Sequence, residues 1–103
     1  MGAFEELGRF TNPSLLILVS LAGDPKHGYT LMEDVERLGG APIGPGTLYG
    51  ALARLEARGL IEALPSDDRR RPYKLTAAGA EAARTQVQSL QRFVRLAAER
   101  VGV

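Results

Sequence analysis

The chain contains no cysteine and no tryptophan, and its one histidine is His27. Without cysteine there is no disulfide framework and no thiolate metal site. A single imidazole excludes a histidine-based metal cluster and leaves Ser14, Ser20, Ser66 and Ser89 without a histidine at any recognisable spacing. No apolar run approaches the ~20 residues of a membrane-spanning helix. The longest, Leu15 to Val19, is short and follows no basic secretory region. A cytoplasmic protein with no membrane partner is therefore expected. Aromatic rings are few, and Tyr29, Tyr49 and Tyr73 are too scattered to form a stacking platform for single-stranded nucleic acid. The acid pairs Glu5-Glu6 and Asp67-Asp68 are sequence neighbours and do not converge on a substrate. The glycine-rich stretch from Gly39 to Thr47 lacks the lysine that a phosphate-binding loop places before its Ser/Thr. Nucleophile, base and oxyanion donors never form a complete set, so no enzyme, metal or cofactor is expected.

What the chain does have is concentrated in Gly46-Thr47-Leu48-Tyr49-Gly50-Ala51-Leu52-Ala53-Arg54-Leu55-Glu56-Ala57-Arg58-Gly59-Leu60-Ile61. Leu48, Leu52 and Leu55 stand at i, i+4 and i+7 and share one helical face. Roughly opposite lie Gly46, Gly50, Ala53 and Ala57, where an outer face would ordinarily carry long charged side chains. Thr47, Tyr49 and Arg54 flank this bare strip. Two surfaces fit it. One is the DNA major groove, which admits a helix and offers a hydrogen-bonding code to side chains near its N-terminus. The other is a partner helix, since Gly and Ala also mark close helix contact.

The helix has a defined stop, with Gly59 suited to the left-handed position and Leu60 placed to touch Leu55. Two short strands are expected next, over 61–64 and 73–76, around a turn bounded by Pro65 and Pro72. That turn carries Arg69, Arg70 and Arg71, partly offset by Asp67 and Asp68. A helix running into a basic-tipped hairpin is the layout of a winged helix. Its helix enters the major groove and its wing reaches phosphates, for which the arginine fork is suited. Net charge is only +1. The informative feature is local clustering of Arg54, Arg58, Arg69, Arg70, Arg71 and Lys74 on the proposed binding elements, away from Glu33, Asp34 and Glu36.

Asn12-Pro13 reads as an N-cap followed by Pro at the first helical position, opening a helix over 13–22 that is apolar nearly all round. Such a helix suits burial against a partner chain as well as its own core. A second helix is expected over 29–38, with Leu31, Met32, Val35 and Leu38 inward and Gly39 as its stop. The recognition helix would be capped by Gly44, with Pro45 at N1, or by Thr47. Phe4, Leu7 and Phe10 suit a short docking helix within an N-terminal extension, 1–11. His27 would cap the second helix or touch a phosphate.

After Thr76, the residues Ala80, Ala83, Val87, Leu90, Val94, Ala97 and Val101 are spaced alternately three and four apart. That is a heptad seam, and Phe93 and Leu96 widen it. A helix this long exceeds what a domain of about 75 residues can cover, so pairing with a second copy is expected.

Three motifs in order carry a resemblance. The 46–61 segment resembles the signature of the PadR family of transcriptional regulators. His27-Gly28-Tyr29-Thr30-Leu31 is similar to that family's motif at the start of its second helix. Arg69-Arg70-Arg71-Pro72-Tyr73-Lys74-Leu75-Thr76-Ala77-Ala78-Gly79 resembles its wing and the start of its last helix. The resemblance implies a dimeric winged-helix repressor of the branch with one C-terminal helix, often responsive to small aromatic or amphipathic compounds.

The expected fold is mainly α with a small antiparallel wing. A winged helix-turn-helix domain spans 1–76 and a dimerisation helix 77–103. DNA contacts are expected from His27, Tyr29, Gly46, Thr47, Tyr49, Gly50, Arg54, Arg69, Arg70, Arg71 and Lys74. Dimer contacts are expected from Leu15, Leu18, Val87, Leu90, Phe93, Val94, Ala97 and Val101. The expected partners are a palindromic double-stranded operator, a second copy of the chain and a small apolar or aromatic effector. The competing reading is a winged-helix protein-contact module without specific DNA binding.

Overall fold

The computed structural model describes residues 12–66 and 71–103. Its elements are α1 (Pro13–Ser20), α2 (Gly28–Gly39), α3 (Pro45–Ala57), β1 (Ile61–Ala63), β2 (Tyr73–Leu75) and α4 (Ala77–Val101). This is the mainly α fold with an antiparallel wing expected from the sequence.

Helix α1 begins as expected, with Oδ1 of Asn12 accepting from the Leu15 N–H at 3.2 Å and Pro13 in the first turn. It stops two residues earlier than expected. The N–H groups of Leu21 and Ala22 close the last turn on the carbonyls of Ile17 and Val19. Ile17, Leu18 and Leu21 enter the core, while Leu15, Leu16 and Val19 are half-buried. Helix α1 is the hub, packing on α2, α3 and α4.

Helix α2 runs one residue beyond the expected range at each end, so the expected stop Gly39 is helical and Gly40 takes the left-handed conformation at φ 71°. Its inner face is narrower than the spacing suggests. Leu31 and Val35 are buried, but Leu38 is 46% exposed. The connection to α3 folds over the side bearing Val35 and Gly39 instead, tied down by the Ile43 N–H donating to Oε2 of Glu36 at 2.9 Å.

Strands β1 and β2 pair antiparallel, Ile61 with Leu75, Glu62 with Lys74 and Ala63 with Tyr73. Leu64 and Thr76 fall outside the strands. Leu64 still donates to the Pro72 carbonyl at 2.8 Å, whereas Thr76 becomes the N-cap of α4. A β-bridge between Lys26 and Tyr73, which no local pattern announces, adds a third short stretch beside the wing.

Helix α4 is joined closely to the end of α3. The Thr76 hydroxyl donates to the Gly59 carbonyl at 2.6 Å and accepts from the Gly79 N–H at 3.0 Å. The Thr76 N–H donates to the Leu60 carbonyl at 3.1 Å. Gly79 lies on that same carbonyl, and a Cβ there would stand 1.9 Å from the Leu60 oxygen. Only glycine permits this crossing. One turn further, Ala83 completes a core that includes Leu48, Ala51, Leu52, Leu55 and Ile61.

Candidate nucleic-acid interface

Helix α3 has the two unlike faces its sequence implies. Leu48, Ala51, Leu52 and Leu55 are all at most 3% exposed. Gly44 is the N-cap and Pro45 opens the helix, which resolves the choice between Gly44 and Thr47. At the far end Gly59 adopts φ 73°. Its N–H donates to the Glu56 carbonyl, and that of Leu60 to the Leu55 carbonyl, both at 3.0 Å. These paired bonds satisfy carbonyls that the helix end would otherwise leave open and turn the chain into β1.

The outer face is open. Gly46, Thr47, Tyr49, Ala53, Arg54 and Ala57 are exposed. A Cβ built on Gly46 would meet nothing within 4 Å, and one on Gly50 would meet only the guanidinium of Arg54, at 3.6 Å. Nothing among the described residues therefore requires glycine at either position. This is unlike Gly79, whose lack of a side chain is explained inside the fold.

Tyr49 leaves the strip sideways toward the start of α2. Its ring lies over Gly28, where a Cβ would come 2.7 Å from the Tyr49 hydroxyl. Gly28 and Tyr49, from two separate sequence motifs, thus form one contact. Tyr29, the next residue, is 67% exposed beside it. His27 sits at the N-cap of α2, but its side chain makes no capping bond, so the expected capping role is not what it does. Only its carbonyl serves the helix, accepting from the Leu31 N–H at 2.9 Å.

Of the wing residues, Arg69 and Arg70 lie outside the described residues. Arg71 is exposed. Lys74 is half-buried and pairs across the hairpin with Glu62 at 3.2 Å, so part of its charge is already answered. The Tyr73 hydroxyl is held above the ordinary tyrosine range. Burial is the chief cause, the neighbouring Glu56 and Tyr49 add to it, and Arg71 opposes it. Tyr73 is half-buried and packs against the core.

A second cluster is not legible from spacing. The Ser20 hydroxyl, in a residue 3% exposed, donates to Oδ2 of Asp34 at 2.6 Å. Lys26 donates from Nζ to the Ser20 carbonyl and lies 4.0 Å from the same carboxylate oxygen. These residues are separated along the chain, and no local motif announces them.

The expected dimer residues divide. Leu18 is 4% exposed in the protomer's own core, which leaves it little surface for a partner. Leu15 is half-buried on α1, and Leu90 and Ala97 are half-buried on α4. Val87, Phe93, Val94 and Val101 are exposed at 37%, 58%, 60% and 73%, and Leu96 at 39%. Beyond Ala83 the apolar face of α4 is largely uncovered by the described residues. No helix among the described residues is long and apolar enough to cross a membrane.

Residues 17–85, more than half of the chain, match the Transcriptional regulator PadR-like family. The transcriptional regulator Rv3488 of Mycobacterium tuberculosis is 39% identical over 84 residues, which cover 79% of this chain and 78% of that protein. An uncharacterized 37.1 kDa protein in transposon TN4556 of Streptomyces fradiae is 43% identical over 85 residues. Those residues are 82% of this chain but only 25% of that protein, so the chain spans about a quarter of that relative's length. The crystal structure of a PadR family transcription regulator from Clostridium difficile R20291 superposes with a TM-score of 0.76 at 25% identity. The match covers 88% of this chain and 98% of that one. The family is one of transcriptional regulators rather than enzymes, in line with the incomplete catalytic sets in the sequence. The chain belongs to the PadR-like family of transcriptional regulators.

Proposed function

We propose that this chain is a sequence-specific double-stranded-DNA-binding regulator acting as a homodimeric repressor in the cytoplasm. Helix α3 enters the major groove by its bare strip. Thr47, Tyr49 and Arg54 face base edges or the groove wall, and Tyr29, Arg71 and the remaining wing arginines meet phosphates. The observation that carries this reading is the open space over Gly46, with only the Arg54 guanidinium near Gly50. No packing among the described residues accounts for those glycines, whereas a helix lying close against a groove does.

Residues 1–76 would form the DNA-binding unit and 77–103 the pairing helix. The first turns of that helix serve the core, and the later ones, with Val87, Phe93, Val94 and Val101 exposed, serve the partner. A dimer of this kind fits a palindromic operator, because two-fold protein symmetry demands two-fold DNA symmetry. Repression follows from occupancy of a promoter-overlapping site. A groove of about 340 Å³ between α1 and α4, lined by Val19, Ala22, Ala83 and Val87, is a place for a small apolar or aromatic effector.

The test is a mobility-shift titration of the full chain on the duplex upstream of its own gene, with random duplex as competitor. Retention that survives competition supports the reading. Equal retention of both duplexes, or of neither, favours the protein-contact module.

A further inference from the structure

Lys26 serves two parts of the molecule at once. Its backbone is paired with the wing, donating to the Tyr73 carbonyl at 3.0 Å and accepting from the Tyr73 N–H at 2.8 Å. Its side chain points the other way, into the helical core. There the ammonium donates to the Ser20 carbonyl at the end of α1 and lies 4.0 Å from the Asp34 carboxylate in α2. The same carboxylate accepts from the buried Ser20 hydroxyl at 2.6 Å and lies 3.6 Å from the largely exposed Arg37 guanidinium.

A two-stranded hairpin is marginal alone, and here each strand has three residues. Its orientation must come from what it is attached to. Strand β2 is paired on both edges, with β1 on one and Lys26 on the other, and packs Tyr73 and Leu75 against the core. Tyr73, the residue Lys26 holds, is two positions from Arg71, and its hydroxyl is within electrostatic reach of Glu56 and Tyr49 on α3. The side chains of Lys26 and Asp34 are only 21% and 24% exposed, so their interaction is less screened than a surface pair, and the Ser20 bond fixes the carboxylate.

We propose that Asp34 is a positioning residue for DNA binding: by holding Lys26, it sets the angle at which the wing and Arg71 stand relative to the recognition helix. It touches no ligand and acts through Lys26 and Tyr73. This rests on the DNA-binding reading above.

Three variants of the full chain test it. Lys26→Met keeps the strand pairing and most of the stem but removes the charge. Asp34→Ala removes the carboxylate that accepts from the Ser20 hydroxyl and stands 4.0 Å from the Lys26 ammonium, and Asp34→Asn keeps an acceptor for Ser20. Duplex affinity is measured for each, alone and combined with Arg71→Ala, with melting curves and light scattering to verify folding and assembly. Lys26→Met and Asp34→Ala should each weaken binding by about tenfold, the size expected for removal of a charged hydrogen-bonding partner, with Asp34→Asn intermediate. In those backgrounds Arg71→Ala should cost far less than in the parent, because the wing is no longer held in place. Amide exchange at Lys26 and Tyr73 should quicken while that of α3 is unchanged. This second measurement needs no DNA. It stands even if the parent protein fails to retain duplex, which separates failure of this inference from failure of the DNA-binding reading. Unchanged exchange at Tyr73, or reduced affinity with the Arg71→Ala effect intact, would overturn it.

Discussion

The hydroxyl of Tyr49 lies where a side chain on Gly28 would begin, 2.7 Å from the position of its Cβ. Helix α3 and the start of α2 are therefore joined by a ring over a glycine. Gly28→Ala should displace the ring rather than unfold the protein, since the blocked atom is the end of a movable side chain. Specific duplex binding should fall relative to random duplex, and Tyr49→Phe should relieve part of the crowding in the double variant. Equilibrium titrations of the two single variants and the double variant on both duplexes decide this. A Gly28→Ala protein with parental specificity would show that the contact is incidental.

Gly79 is the opposite kind of glycine. Its missing side chain is demanded by the Leu60 carbonyl, 1.9 Å from where a Cβ would lie, and backbone cannot swing aside as a phenol can. Gly79→Ala should cost at least the ~1–3 kcal/mol typical of overpacking. Each kcal/mol lowers the melting temperature by roughly 4–8 °C in a domain of this size. A melting curve within a degree or two of the parent's would refute the crossing.

How much of the fold and site is legible in the chain depends on whether a feature is local. The capping of α1 by Asn12, the stop at Gly59 and the buried stripe of Leu48, Leu52 and Leu55 follow from residues a few positions apart, and the structure bears them out. The Lys26–Tyr73 bridge and the Ser20–Asp34 bond join residues 47 and 14 positions apart, and no periodicity encodes them. Leu38 departs from its expected inward place because helical spacing gives a face but not how far the covering chain extends along it. Leu18 has the same character. An all-apolar α1 gives no sign of which flank belongs to its own core. Gly79 does carry a sequence signal: a glycine among alanines at the start of a helix, where alanine is intrinsically better.

The exposed face of α4 leads to an assembly prediction. Leu90→Asp would place a carboxylate in a self-complementary seam, where it meets its symmetry mate or stays unpaired, at a cost of several kcal/mol. Light scattering should show a monomer that keeps its helical circular dichroism, and operator affinity should drop because paired half-sites are no longer read together. A Leu90→Asp dimer with full affinity would move the pairing surface elsewhere, toward Leu15 and residues 1–11.

Tyr73 leads to a prediction in alkaline solution. Its folded pKa is raised above the ordinary 10.0, so the neutral phenol is the form the fold favours. The stabilisation is then complete below pH 10 and disappears as pH rises through the folded value. Tyrosinate absorbance should include a component titrating above that ordinary value, and Tyr73→Phe should remove it. If Tyr73→Phe leaves the alkaline part of the titration unchanged, the environment assigned to this hydroxyl is wrong.

Binding should also be strongly salt-dependent. With about three to five phosphate contacts per protomer, affinity should fall by about 10³–10⁵ between 50 and 200 mM salt. Arg71→Ala should weaken specific and random duplex alike and reduce the salt slope by about one for each phosphate that is no longer neutralised. Affinity for duplex that barely changes with salt would favour a protein partner instead.

The central claim, that the bare strip of α3 is the surface laid into DNA, is tested most directly at Gly46. A leucine there would begin at a Cβ with open space around it, and it replaces a residue that disfavours helix by about 1 kcal/mol. Gly46→Leu should therefore melt at or above the parent temperature while its affinity for the specific duplex drops by at least about tenfold, or roughly 1.4 kcal/mol. Both quantities come from one preparation, by a thermal melt and a fluorescence-anisotropy titration. A Gly46→Leu protein that is equally stable and binds the duplex as tightly as the parent would contradict the claim.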